Sequence, residues 1–462
     1  MTDDGDGTCD STCTLRDAVT VADASLDPDI TILLPAGTLT LTKSAVASDD
    51  NNVTGDVDVT RKVTIRGQGA SATTIQQTVA KERVLDALGV DLTLQDLAVT
   101  GGQGTDYGGG IRGTGNGQLT LERVAVHDNN VGTDNGKIAH GGGIYKDAGS
   151  LLVSDSAIYD NGLNFALYGG GILLETASAD IENTTISGNK AENDGGGIHS
   201  DTGNAVTLAF DTITGNSAAS GAGGGLGDPQ HYRIRSSIIT GNSGGDCDSA
   251  GQDEGGNVGA ASCGFNLPSD AIVSDPLLGP LGGTPIPVEE PLPGSPALDR
   301  AVGPCPATDA RGVTRPQGAG CDSGAAERPV ASTSPGAGGG GKAPHLSLAS
   351  KLSVASNLKT IALKLACPAG AGKCTGSVKL VGTFAAGSAK TKTRKVTIAS
   401  AHYSLAGGKH KTLKLKVTKA GRKAFRGHRS IKAKLTLSVT DAAGHKGTES
   451  RSVKLARAKK KH

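Results

Sequence analysis

Between Asp91 and Gly244 the chain repeats one pattern six times, and few folds accommodate that repetition. Each copy has an apolar residue and a second apolar residue five positions on: Leu94/Val99, Leu121/Val126, Val153/Ile158, Ile181/Ile186, Leu208/Ile213 and Ile234/Ile239. Three positions later, five copies carry an asparagine, Asn129, Asn161, Asn189, Asn216 and Asn242, whereas the first has Gly102. Between copies a glycine triplet precedes an aliphatic residue at Ile111, Ile144, Ile172, Ile198 and Leu226. The asparagines are spaced by 32, 28, 27 and 26 residues, the signature of a repeat architecture.

Each period holds three short apolar segments separated by Gly, Asn or Asp, none long enough for a helix of about ten residues. Short strands joined by tight turns remain. One coil of three strands cannot bury its own apolar side chains, but stacked coils pair strand on strand at roughly 4.8 Å and share one interior. The pattern therefore predicts a parallel β-helix. The asparagines are expected at one corner, in a left-handed or bridge conformation, with their amides bonded coil to coil in a ladder. The glycine triplets are read as tight corners, because no strand-to-helix pattern follows them as a phosphate-binding loop would require.

The words "GGGIHS", "ISGN", "ITGN" and "IITGN" resemble those of bacterial right-handed parallel β-helix surface proteins of the pectate-lyase-like superfamily, over residues 9 to 327. The run Cys13-Thr14-Leu15-Arg16-Asp17-Ala18 resembles the Cys-Ser-Leu-Arg-Glu-Ala signature at the N-terminus of secreted members. Farther on, Asp309, Arg311, Gly312, Arg315 and Pro316 resemble the closing choice-of-anchor-type module that follows such solenoids. That resemblance implies a terminal cap stapled by Cys305 and Cys321, with Asp309 and Arg311 as a buried ion pair sealing the end.

Composition divides the chain in two. Residues 1–341 carry 18 Lys+Arg against 43 Asp+Glu, whereas residues 342–462 carry 28 against 2, so a net charge of +1 conceals two opposite fields. With no Trp and 2 % aromatics, a single large aromatic core is excluded, which a solenoid does not need. The cysteines fall in local pairs, Cys9/Cys13, Cys247/Cys263, Cys305/Cys321 and Cys367/Cys374. Even, local pairing suggests disulfides and an oxidising compartment, with a zinc site as the competing reading. No stretch approaches the ~18 apolar residues of a membrane span. "TDDGDG" follows Met1 directly, so an export signal is expected to lie outside this sequence.

The expected fold class is all-β: a right-handed parallel β-helix with a short N-terminal capping helix, a flexible linker and a C-terminal immunoglobulin-like β-sandwich. The domains are a cap at 1–30, the β-helix at 31–265, its closing module at 266–327, a Pro/Gly/Ser-rich linker at 328–345, a Lys-rich sandwich at 346–457 and a basic tail at 458–462. In the cap, Leu15, Ala18, Val19 and Ala22 share one helical face, and Thr14 with Asp17 makes an approximate capping box. In the sandwich, "TLKLKVT" and "IKAKLTLSVT" alternate apolar residues with Lys.

No cofactor or metal is expected. Asp49, Asp50, Asn51, Asp56 and Asp58 offer oxygens but lack the spacing of a known calcium loop, so they are read as a solvated turn. The resemblance makes a polysaccharide-active lyase or glycosidase the rival reading. That chemistry needs acids in register over adjacent coils, and none is evident. "AHGGG" at His140, Arg233 with Arg235, and "DPQH" at Asp228 to His231 are incomplete motifs; both histidines are read as turn residues. Insertions leave the solenoid at one corner, near Tyr107, Tyr145, Tyr159, Phe165 and Tyr168, which are the candidate ligand-binding residues. The chain is read as a non-catalytic secreted or cell-surface protein of adhesion or envelope structure. Its partners are a cell-wall polyanion or surface glycan, or another protein, and a glycan-binding module is the third reading. Nucleic acid is the weaker candidate and no specific nucleic-acid binding is expected, because Phe384, Tyr403 and Phe425 are the only aromatics in the basic domain.

Overall fold

The computed structural model describes the chain apart from residues 1–2, 4–5, 11–12, 46–51, 133–138, 163–165, 202, 330–350, 355–357, 367–372, 386–392, 407–409, 426–429, 441–445 and 458–462. The expected linker beyond Pro329 and the basic tail thus lie outside the described residues. The chain divides into two compact units, Met1–Pro329 and Val330–His462.

In the first unit, each repeat supplies one strand to each of three long parallel sheets of nine, ten and seven strands. The first member of each apolar pair points inward from the first sheet, stacked as Leu94, Leu121, Val153, Ile181, Leu208 and Ile234. The second member does the same from the second sheet, as Val99, Val126, Ile158, Ile186, Ile213 and Ile239. The aliphatic residue after the glycines fills the third, as Ile111, Ile144, Ile172, Ile198 and Leu226. All belong to one buried cluster. Each such side chain contributes about 1.5–3 kcal/mol on leaving water.

The asparagines form a ladder inside the corner after the second sheet. Asn161 Nδ2 donates to Val126 O at 2.9 Å and to Asn189 Oδ1 at 2.9 Å, while its backbone N–H donates to the same Oδ1 at 3.0 Å. Asn129, Asn189 and Asn216 repeat this, and at the end Asn242 donates to Asp246 Oδ1 at 2.9 Å. The left-handed residue is not the asparagine, as expected from sequence, but the residue before it: Asp128, Asp160, Gly188, Gly215 and Gly241 have φ of 53 to 77°. That assignment leaves the asparagine side chain free to turn inward. The glycine triplets fit against this ladder. A Cβ on Gly171, for example, would lie 2.6 Å from Gly197 O and 3.1 Å from Asn189 Nδ2.

At the N-terminal end, helix α1 (Leu15–Ala24) lays Leu15, Val19 and Ala22 on the core. Thr14 and Asp17 form a complete capping box. Arg16, 1 % exposed, pairs with Asp3 at 2.7 Å and donates to the carbonyls of Thr54, Gly55 and Asp56. At the other end Cys247, Cys263 and Phe265 join the core cluster.

Three of the four expected disulfides are present, Cys9–Cys13, Cys247–Cys263 and Cys305–Cys321. The fourth, expected between Cys367 and Cys374, is not among them. Cys367 lies outside the described residues. Cys374 is described by its backbone alone, in the strand Lys373–Ala385 opposite Leu405. Its side chain lies outside the description, so the expected Cys367–Cys374 pair falls outside the described residues.

Residues 274–327 do not simply close the end. They run back along the outer face of the second sheet, where Ile286 is buried against Ala98, Ala125 and Ala157. Glu289 accepts from Ser187 and Thr214 at 2.7 Å, and Ala325 N donates to Thr212 Oγ1 at 3.0 Å. Arg315, paired with Glu327 with both side chains fully buried, stacks its guanidinium 4.9 Å from the Phe210 ring centre and bonds Asn183. Arg311 bridges Asp309 at 2.7 Å and Glu290 at 2.6 Å. These pairs therefore hold a lateral cover in place. Small outward residues on the second sheet are what let the cover approach.

The second unit is a seven-stranded sheet, antiparallel except where Lys351–Val354 pairs in parallel with Lys446–Arg457. A bridge between Ala399 and Val417 brings its two outermost strands together, so the sheet folds over a core that includes Ile361, Leu363, Leu380, Leu415 and Leu435. This arrangement is consistent with a β-sandwich. Lys379, Lys414, Lys416 and Lys434 alternate with buried neighbours and face solvent.

Candidate functional site

In the third sheet, the residue one position after each inward aliphatic points outward, and these residues form a column: Asp58, Asp86, Arg112, Tyr145, Leu173, His199 and Gly227. A second column lies on the corner just before those strands, where Tyr107 bridges to His140 and Tyr168 to Asp194. The described ends of the two insertions, Gly132 with Ala139 and Gly162 with Ala166, lie at this corner. The columns together form a ledge with an aromatic middle and acidic ends.

The rings stack along the solenoid axis. Tyr107 lies 5.5 Å from His140, and His140 lies 5.4 Å from Tyr168 with planes 2° apart. Tyr145 packs 4.6 Å from Tyr107, and His199 packs 4.8 Å from Tyr168. The rings therefore spend their faces on one another. Ring edges remain, whereas Nδ1 of His140 and of His199 is buried with no hydrogen-bond partner among the described residues. Tyr145 donates its hydroxyl to Glu175, which together with burial pushes its pKa up, burial being the larger cause. Burial holds the His140 pKa below its ordinary value, so the imidazole is neutral at pH 7. His199 Nε2 lies 3.2 Å from Asp201 Oδ1.

At one end Arg83 bridges Asp86 at 2.9 Å, Asp56 at 3.3 Å and Asp106 at 2.5 Å, and Arg112 bridges Asp86 and Asp106. Burial, with the neighbouring Asp86, raises the Asp56 carboxyl to about 6 against the opposing pull of Arg83. At the other end burial and Asp248 raise Asp194 to about 7. Gly227 lies beside it, and a Cβ there would sit 2.6 Å from His199 Nδ1 and 2.9 Å from Asp194 Oδ1.

Of the residues expected to bind ligand, Tyr107, Tyr145 and Tyr168 meet on this ledge. Tyr159 faces outward from the second sheet instead, stacked 4.8 Å from His127, and Phe165 lies outside the described residues. His140 is a member of the stack and not a plain turn residue. Arg233 pairs with Glu254 and is exposed, Arg235 donates to Val302 O, and His231 is exposed. Asp56 and Asp58, expected in a solvated turn, are buried, whereas Asp49, Asp50 and Asn51 lie outside the described residues. Asp58 and Asp86 also show that acids do recur in register on adjacent coils. Asp86, Arg112, Asp194 and His199 escaped the sequence reading; the residue after each GGG-aliphatic word would have found Arg112 and His199, but no such word precedes Asp86 or Asp194.

Residues 53–239 match the family model for the right-handed beta helix region, in agreement with the stacked parallel sheets. The first unit thus has the fold of a right-handed parallel β-helix, and the second is a mostly antiparallel β-domain. No curated protein and no solved structure matches it. No helix among the described residues is long and apolar enough to cross a membrane.

Proposed function

We propose that this protein is a non-catalytic, secreted or surface-displayed β-helix that holds a glycan along the third-sheet ledge and serves adhesion or envelope structure. The observation that carries the reading is the concentration of Tyr107, His140, Tyr145, Tyr168 and His199 on one outer face, while the interior is almost wholly aliphatic. With ring faces already covered, recognition proceeds through hydroxyls, imidazoles and flanking carboxylates, which suit sugar hydroxyl groups. The Lys-rich C-terminal domain, read as an immunoglobulin-like sandwich, supplies attraction to an anionic wall polymer.

The test is a glycan-binding screen with the full chain, reading captured ligand and released reducing ends together. Glycan capture that falls at least tenfold in His140→Ala or Tyr168→Ala, without sugar release, is the expected result. Capture of no glycan overturns the ledge as a binding site. Salt-sensitive retention on an anionic wall polymer checks the basic domain separately.

A second reading, a polysaccharide-active enzyme, draws on Asp194. A carboxyl raised to about 7 beside Asp248 and His199 is suited to general acid work. Sugar release that disappears in Asp194→Asn would select it.

A further inference from the structure

The acidic end of the ledge gathers three buried carboxylates, Asp56, Asp58 and Asp86, around two arginines. Asp56 and Asp58 flank Val57 and so lie on the same side of the strand Val57–Val59, and Asp58 pairs laterally with Asp86 on the next coil. One carboxylate oxygen from each of the three lies within 4.8 Å of the others. The residues are 9 %, 1 % and 1 % exposed. Asp106 joins them through both guanidinia, which makes four carboxylates against Arg83 and Arg112. The nearby Arg16 is committed to Asp3 and to three backbone carbonyls.

The oxygens are also unequally used. Arg83 and Arg112 both bind Oδ2 of Asp86, which leaves Asp86 Oδ1 buried with no hydrogen-bond partner among the described residues. An orphaned, fully buried carboxylate oxygen beside two further carboxylates calls for a proton, a water or a cation, and the crowding of carboxylates favours a cation. The donors are oxygens only, and they come from a strand pair and not from a regular octahedral cage. That chemistry favours a hard, geometrically tolerant divalent ion over a transition metal.

We propose that Asp56, Asp58 and Asp86 form a divalent-cation site with calcium as its preferred ion, tying the Val57–Val59 strand to the following coil. Its charge would offset that of the three carboxylates, beside Arg83 and Arg112. The cation would also fix Arg112 where it adjoins Tyr145 on the ledge.

The experiment uses the full chain, stripped with EDTA, dialysed and titrated with calcium chloride by calorimetry at pH 7.5, with thermal unfolding followed in parallel. One calcium per chain and a raised Tm are expected. Asp58→Asn should weaken binding by at least tenfold. Asp86→Asn removes charge from two arginines and risks misfolding, so Asp56→Asn, at the most exposed of the three, serves as the second variant. The proposal fails if folded, stripped protein takes up no calcium at about 1 mM, a concentration that fills even weak extracellular sites. It fails equally if binding is undiminished in both Asp56→Asn and Asp58→Asn, which would place the ion elsewhere.

Discussion

At the scale of single residues, buried polar atoms control much of this solenoid. Asn189 is completely buried, donates from Nδ2 to Ile158 O at 2.8 Å and to Asn216 Oδ1 at 2.9 Å, and accepts two bonds from Asn161. Asn189→Ala strands partners on both neighbouring coils. The expected loss is about 3 kcal/mol or more, measured by denaturant unfolding, because each orphaned buried group costs roughly 1–3 kcal/mol. A smaller loss is expected for Asn242→Ala, since that residue is only half-buried at the end of the ladder.

Asp56 gives a pH test with a definite sign. Its carboxyl is raised from 3.8 to about 6 in the folded protein. The folded state therefore holds the proton more tightly than the unfolded state, and stability present below pH 4 is lost as pH rises through 6. A shift of that size corresponds to roughly 3 kcal/mol. In EDTA, Asp56→Asn should raise Tm at pH 7.5 and change it little at pH 4.5. Added calcium should reverse the ranking at pH 7.5.

At the scale of elements, the repeats show which parts of a coil were legible. The pairs five residues apart place inward side chains on the first two sheets, as period-two alternation around a short corner requires. The asparagine ladder was visible as spacing. Its backbone was not, because the left-handed position passed to the preceding Asp or Gly, where no side chain has to reach the interior. The glycine triplets were visible as corners, but their separate roles depend on neighbouring coils. Gly171→Ala would drive a Cβ against Gly197 O and should cost about 1–3 kcal/mol, whereas Gly132→Ala, with nothing among the described residues within 4 Å, should stay within about 0.5 kcal/mol of the parent. Lys146 shows where periodicity misleads. It occupies an inward position, 1 % exposed, and donates to Gly115 O at 2.7 Å in space left by the missing side chain of Gly113.

At the scale of the whole molecule, the end caps and the lateral cover keep the stacked sheets from meeting other chains. The cover depends on a column of small residues that accepts Ile286. Ile286→Asp should unseat it and expose the second sheet, with gain of a hydrophobic dye signal and concentration-dependent aggregation as the readout. Unchanged dye binding and a monomeric profile would show that residues 274–327 do not depend on that contact.

The sequence by itself determined the solenoid, because every coil must repeat the same inward side chains to share one interior with the next. It likewise determined the capping helix, the three cysteine pairs of the first unit and the division of charge, all of which depend on residues near one another in the chain. Only the tertiary structure decided that residues 274–327 lie along the flank, since nothing local distinguishes a flank from an end. It also decided the ledge and its acidic end. Asp56, Asp86, Arg112, His140, Tyr168 and His199 are scattered over more than 140 residues and become neighbours only because each coil returns the chain to the same face, one strand spacing farther on.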